Sequence, residues 1–238
     1  MASRKEQKEA LRREREAREQ AAKAAERRRR LVGYGAAGGL VAVALVVVVV
    51  LFVAGGGSSD TKATSALLPS GGSVPDVGNT NTAAAAKAAA CKTTSYHATS
   101  RNHTTDPNQK VKYPTNPPAA GKHYQFPADD RAYSQAPRDV EVVHAQEHGR
   151  VVIWFKPSLP RSQRADLKAL YDKQKGYQLL LVPRANMPYQ VAETAWNAQP
   201  EPLGTGKLMG CPQLQDSTWD ALQDFIEDNR GNGPEAIP

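Results

Sequence analysis

A long stretch without any charged residue, Leu31–Ala54, constrains this chain more than any other feature. Its 24 residues are mostly Val, Leu, Ala and Gly, and they include five consecutive valines. As a helix rising 1.5 Å per residue, the stretch spans about 36 Å, which exceeds the roughly 30 Å of a bilayer's hydrocarbon core. It therefore predicts a single transmembrane helix. A cleaved signal peptide is the alternative, although the apolar region of such a peptide is usually shorter, about 7–15 residues.

The charges before this stretch predict its orientation. Residues 1–30 contain 12 Lys and Arg and 6 Glu, a net charge of +6. Because Lys and Arg accumulate on the cytoplasmic side of membrane spans, we expect residues 1–30 in the cytoplasm and the chain after Ala54 outside the cell membrane. The whole chain carries +7, which leaves +1 for residues 31–238. This balance argues against nucleic acid as a partner and leaves membrane lipid and an envelope protein as expected partners.

The exported part divides into a linker and one domain. Residues 55–90 are rich in Gly, Ser, Thr, Asn and Ala, with few large apolar side chains, and this composition predicts a flexible linker. Residues 91–238 have the length of one domain. The chain has two cysteines, Cys91 and Cys211, and an oxidising exterior favours a disulfide between them. Two thiolate metal ligands are the alternative.

Hydrophobic patterns in the later part of this domain predict an α+β fold. Val-Glu-Val-Val and Val-Val-Ile-Trp-Phe are strand-like, and the short connection between them favours a β-hairpin. Leu167 and Leu170 share one face of a helical pattern, as do Trp219 and Leu222. The predicted elements are strands 139–144 and 150–155, helix 160–175, strands 177–182 and 190–196, and helix 216–230. The order ββαββα predicts an antiparallel or mixed sheet with the helices packed on one face.

The five histidines are confined to one window of 52 residues, and the other 186 residues contain none. Four of them lie in segments typical of loops, and imidazole is a common metal ligand. If these four converge, their imidazoles suit zinc or copper, and Glu147 is expected to orient one ring or to act as a weak ligand. The predicted metal-binding residues are His103, His123, His144 and His148.

Two other functions remain open for these residues. The segment His144–His148 has the His-x-x-Glu-His spacing of a class of zinc proteases, in which two histidines on one helix bind zinc and the glutamate activates water. This reading predicts a metal-dependent hydrolase of the cell envelope, but the strand-like flanks argue against a helix here. The other alternative is a non-catalytic interaction module in which the histidines are structural. No catalytic residue is assigned, and a non-enzymatic role is favoured.

An ordered series of motifs over residues 91–236 resembles the bacterial family called domain of unknown function 3105. The motifs are Arg-Asn-His (101–103), a Pro-rich loop ending in Gly-Lys-His (113–123), Val-His-Ala-Gln-Glu-His-Gly (143–149), Leu-Leu-Val-Pro (180–183), Thr-Ala-Trp (194–196) and the closing segment 225–235. The resemblance implies a membrane-anchored protein with an exported domain. It implies no established activity, and it supports His103, His123, His144, Glu147 and His148 as one motif set. A cysteine common in the family between two of these motifs is absent here.

Overall fold

The computed structural model describes residues 66–76, 78 and 81–235. The predicted cytoplasmic segment 1–30 and the predicted membrane span 31–54 lie outside the described residues. Within the part that is described, no helix has both the length and the apolar character needed to cross a membrane.

A five-stranded mixed sheet forms the centre of the domain. Its strands, with a separate pair of short strands, are β1 (Lys92–His97), β2 (His103–Thr104), β3 (His123–Tyr124), β4 (Val151–Phe155), β5 (Leu179–Pro183), β6 (Val191–Asn197) and β7 (Thr205–Cys211). The large sheet has the order β1-β7-β6-β4-β5, and β2 pairs with β3. Only β4 and β5 run parallel in the large sheet; its other pairs are antiparallel. The predicted mixed sheet is confirmed.

Helices cover both faces of the sheet, so the prediction of helices on one face is wrong. They are α1 (Thr82–Ala88), α2 (Asp139–Glu147), α3 (Arg161–Lys173) and α4 (Asp216–Asn229). Helices α1, α3 and α4 share one apolar cluster with the odd-numbered residues of β4. Helix α2 packs through Val142 and Ala145 against Val152 and Trp154 on the opposite face. Successive strand residues point to opposite faces, and a fully buried strand such as β4 needs a covering layer on each.

The predicted hairpin is wrong because its first strand, 139–144, is part of helix α2. The run of valines suggested a strand, but the backbone amide of Arg138 donates to the Glu141 carboxylate at 3.0 Å, and this contact stabilises the first turn of a helix. Gly149, with φ of +81°, follows the end of the helix and allows the chain to turn into β4.

Five other predicted elements are confirmed with small shifts of their ends. They are strands β4, β5 and β6 and helices α3 and α4. Strands β5 and β6 are not neighbours, because β4 lies between them. The sequence patterns did not predict strands β1 and β7.

A disulfide between Cys91 and Cys211 joins the chain just before β1 to the end of β7, and this confirms the predicted pairing. Some residues of the predicted linker 55–90 also belong to the core. Leu68, Ala85 and Ala89 are buried in the cluster beneath α4. The packed part of the chain therefore begins before Cys91.

Candidate metal centre

Three backbone elements bring the histidines of the cluster together. Strands β2 and β3 pair in parallel with His103 directly opposite His123. Helix α2 packs against β3 and carries His144 and Glu147, and His148 caps its C-terminal end. The imidazole centroids of His103, His123 and His144 lie 4.5–4.8 Å from one another. A small apolar cluster that includes Val143 lies beside them.

Backbone carbonyls fix the proton positions on two of the rings. His123 Nδ1 lies 2.8 Å from the carbonyl oxygen of Gly121, and His144 Nδ1 lies 2.6 Å from that of Tyr124. A carbonyl oxygen can only accept, so each Nδ1 carries the hydrogen and donates it. Each Nε2 then presents a bare lone pair when the ring is neutral. Ligating histidines in metal proteins are commonly oriented in this way.

The buried carboxylate of Glu147 faces one of these lone pairs. Glu147 Oε2 lies 3.0 Å from His123 Nε2, and both side chains are completely buried. Neither atom has a hydrogen-bond partner among the described residues. Two acceptors at this distance repel each other unless a cation lies between them, either a proton or a metal ion. His103 Nε2 lies 3.8 Å from the same carboxylate oxygen.

A second group of polar atoms continues from this carboxylate towards the surface. His144 Nε2 lies 3.0 Å from His148 Nε2, which in turn lies 3.3 Å from Glu235 Oε2. The Arg101 side chain connects the two carboxylates, because it donates to Glu147 Oε1 at 2.7 Å and to Glu235 Oε1 at 3.2 Å.

Two overlapping sets of potential ligands result, and the ligand atoms within each set lie within 4.8 Å of one another. The inner set is His103, His123, His144 and Glu147. The outer set is His144, Glu147, His148 and Glu235. Neighbouring ligands of a tetrahedral zinc ion are roughly 3.3 Å apart, given Zn–N distances of about 2.0–2.1 Å. The two contacts of 3.0 Å are close to this value, and His103, whose side chain is 42% exposed, has room to move.

Burial and neighbouring charges keep these ligands in metal-binding protonation states. Burial, together with the nearby His123, lowers the pKa of His144 to about 4. Burial also lowers the pKa of His148. For Glu147 burial alone would raise the pKa, but the hydrogen bond with His123, in which a proton lies between Nε2 and Oε2, and the interaction with Arg101 outweigh it and hold the pKa below its usual value. At neutral pH the centre therefore offers neutral His144 and His148 rings and an ionised Glu147 carboxylate.

The predicted site residues are brought together in part. Three of the four histidines, with Glu147, form the inner set, whereas His148 joins His144, Glu147 and Glu235 in the outer set. The fifth histidine, His97, lies at the end of β1 opposite Thr205, and it belongs to neither set. The sequence patterns did not predict that Arg101 and Glu235 lie at the site, although both residues belong to motifs on which the family resemblance rests.

Comparison with protein families gives a match over the later part of the chain. The model described as "Protein of unknown function (DUF3105)" matches residues 103–237, more than half of the chain. The chain belongs to this family. The resemblance drawn from the motifs is therefore confirmed, and every member of the inner and outer sets lies within the DUF3105 match. Neither the curated proteins nor the solved structures gave a significant match.

Proposed function

We propose that this protein is a single-pass membrane protein whose exported domain binds one divalent metal ion, Zn²⁺ or Cu²⁺, at the inner set. Metal handling at the cell surface is the resulting function. One observation carries the proposal: the lone pair of His123 Nε2 faces the carboxylate oxygen of Glu147 at 3.0 Å in a fully buried position. A proton could also lie between these two atoms. A proton, however, needs only two partners, whereas further Nε2 atoms of His103 and His144 lie within 4.8 Å.

The ligand types favour zinc or copper(II) over other ions. The inner set offers three imidazoles and one carboxylate, and imidazole nitrogen suits both metals. A soft thiolate site for copper(I) is not available, because the only two cysteines of the chain form the disulfide. In this proposal Glu147 is itself a ligand through Oε2, while Arg101 holds Oε1 and fixes the carboxylate plane. This role is more direct than the orienting role expected from sequence.

Metal titration of the purified full-length protein tests the proposal. We expect one equivalent of Zn²⁺ or Cu²⁺ to bind per chain, and His123→Ala to weaken binding by at least the roughly 10- to 100-fold typical of a lost supporting contact. His97→Ala is the matched control, because it removes an exposed histidine outside the cluster and should leave affinity unchanged. If the wild-type protein takes up no metal, or if both variants bind as the wild type does, the proposal is wrong.

The location of the domain is a separate part of the proposal. The uncharged stretch Leu31–Ala54 and the basic segment before it support a cytoplasmic N-terminus, and the disulfide suits an oxidising exterior. Reporter fusions at the two ends of the chain test this topology. A reporter that is active only outside the cytoplasm should work when fused after residue 238 and not when fused before residue 1. The opposite result would exclude an exported domain.

A metal-dependent hydrolase is the second candidate, and the helix supports it. His144 and Glu147 lie on α2 and His148 caps it. The segment before the motif is therefore helical, and the strand predicted there no longer argues against a zinc-protease motif. Against it, the Glu147 carboxylate is completely buried and one of its oxygens is held by Arg101, so neither oxygen faces solvent from which a water and a substrate could approach. Peptide hydrolysis by the metal-loaded protein would favour this candidate. Absence of both metal uptake and hydrolysis would leave the interaction module with structural histidines.

A further inference from the structure

The two ligand sets of the centre share two residues, His144 and Glu147, and this sharing limits how many ions they can hold. His144 offers only Nε2, because its Nδ1–H is donated to the carbonyl of Tyr124. Glu147 is also common to both sets, and its Oε1 already accepts a hydrogen bond from Arg101. The single lone pair of His144 Nε2 cannot serve two fully coordinated ions. The inner and outer sets are therefore alternative positions of a single ion rather than a two-metal site.

The two positions differ in ligand type and in exposure. The inner set provides three imidazoles and a carboxylate, whereas the outer set provides two imidazoles and two carboxylates. The Glu235 side chain is 35% exposed and is also held by Arg101, so its carboxylate is partly hydrated and already paired. Zinc and copper(II) bind imidazole nitrogen well. The inner position is thus the tighter one, and the outer position is weaker and closer to solvent.

A change of position would require only two ligands to be replaced. Throughout such a change the ion keeps His144 and Glu147, while His103 and His123 are exchanged for His148 and Glu235. The outer ligand is held in place by backbone bonds. The amide of Glu235 donates to the Glu147 carbonyl at 3.0 Å, and the amide of Gly231 donates to the Gly149 carbonyl at 2.9 Å. The segment Gly231–Glu235, which we call the C-terminal strap, thereby covers the end of α2.

From this arrangement we propose that the bound ion exchanges with solution through the outer position. The proposal rests on the metal site proposed above. The outer position is a transit site of the same ion, and the C-terminal strap supplies its outermost ligand. In the competing route the ion leaves the inner position directly to solvent past His103, whose side chain is exposed. The two routes differ in one respect that can be measured. Loss of an outer ligand should slow exchange far more than it weakens binding at the inner position, whereas loss of an inner ligand should weaken binding itself.

Chelator-exchange kinetics test this proposal. The full-length protein is loaded with Zn²⁺ and mixed with excess chromogenic chelator in a stopped-flow instrument, and affinity is measured separately by competition. For His148→Ala and Glu235→Gln we expect uptake and release to slow together by about tenfold or more, as a barrier raised by about 1.4 kcal/mol would give. Affinity should fall far less than in His123→Ala, and the stoichiometry should stay at one ion per chain. His97→Ala is the control, and thermal unfolding of each variant shows that it has folded.

Each other outcome has a distinct meaning. If the wild-type protein binds neither Zn²⁺ nor Cu²⁺, the metal site itself fails; if it binds only Cu²⁺, the same exchange assay is run with Cu²⁺. If it binds Zn²⁺ but both outer variants exchange as fast as the wild type, the site stands and the ion passes His103 instead. If His148→Ala loses affinity as strongly as His123→Ala, the ion has one position that includes His148, and the inference is wrong. Binding of two ions per chain would also overturn it.

Discussion

A glutamate inside the apolar core gives the sharpest prediction about stability. Glu193 lies in the middle of β6, between Ile153 of β4 and Met209 of β7. Its side chain is completely buried, and neither carboxylate oxygen has a hydrogen-bond partner among the described residues. Burial raises its pKa well above the usual value of 4.5. The carboxyl group is therefore protonated in the folded protein at pH values where it is ionised in the unfolded chain.

The sign and size of the effect follow from proton linkage. Above pH 4.5 the unfolded chain releases a proton that the folded protein retains, so the free energy of unfolding falls as the pH rises. The slope for one group is about 1.4 kcal/mol per pH unit, and it continues until the folded carboxyl group itself ionises. Below pH 4.5 both states are protonated and the group contributes no pH dependence.

Replacing Glu193 should abolish this slope. For Glu193→Met we expect a gain in stability over the wild type that is constant below pH 4.5 and grows above it by about 1.4 kcal/mol per pH unit. Glu193→Gln should show the same growth, but it should be less stable than the Met variant by about 1–3 kcal/mol, since it buries an unpaired amide. The exposed Glu227 on α4 is a matched control, and Glu227→Gln should leave the slope largely unchanged.

Urea unfolding at a series of pH values from 4 to 8 measures these differences. The pH at which the gain of Glu193→Met stops growing reports the pKa of the folded carboxyl group. If the wild type and Glu193→Met differ by a constant amount across this range, the carboxyl group is ionised in the folded core. The reasoning from burial would then be refuted.

Three further predictions concern the framework around the sheet. Replacement of both Cys91 and Cys211 by Ala should lower the free energy of unfolding by about 4–5 kcal/mol, because the disulfide closes a loop across 120 positions; equal urea midpoints for the two proteins would contradict this. In Gly233→Ala the new Cβ would lie 2.2 Å from the backbone nitrogen of Gly149. The strap should therefore detach, and the Glu235 amide should lose its protection from hydrogen exchange. In the control variant Gly78→Ala the new Cβ makes only an ordinary contact, and we expect no such effect. Leu167→Ala, in a fully buried position of α3, should cost about 2–5 kcal/mol in urea unfolding, and a cost below 1 kcal/mol would mean that the cavity closes.

Helices α3 and α4 could be predicted from sequence, whereas α2 could not. Leu167 and Leu170 of α3 are buried while charged residues occupy its outer face, so their spacing reports a helix directly. In α2 seven of nine residues are buried, among them Val142, Gln146 and Glu147. A helix enclosed on nearly all sides has no polar face to reveal its period. Its valines then suggest a strand, and only packing against β4 decides otherwise.

The candidate site was predictable as a group of residues but not as a geometry. The density of histidines and their motifs predict His103, His123, His144, His148 and Glu147 as one candidate set from the sequence alone. The division into inner and outer sets depends on which ring nitrogen donates to which carbonyl, as at Gly121 and Tyr124. Glu235 reaches the site through backbone bonds of the C-terminal strap. No side-chain pattern encodes bonds of that kind.

The disulfide has a mechanical consequence for the described domain. Cys91 immediately precedes β1, and Cys211 ends β7, the only neighbour of β1 in the large sheet. A force applied to the chain on the N-terminal side of Cys91 is borne by the covalent disulfide before it loads the hydrogen bonds between β1 and β7. Force can therefore peel away α1 and the residues before it, but it is then carried by the disulfide into β7, deep in the sheet. The strands that position the histidines bear no load until that bond is reduced.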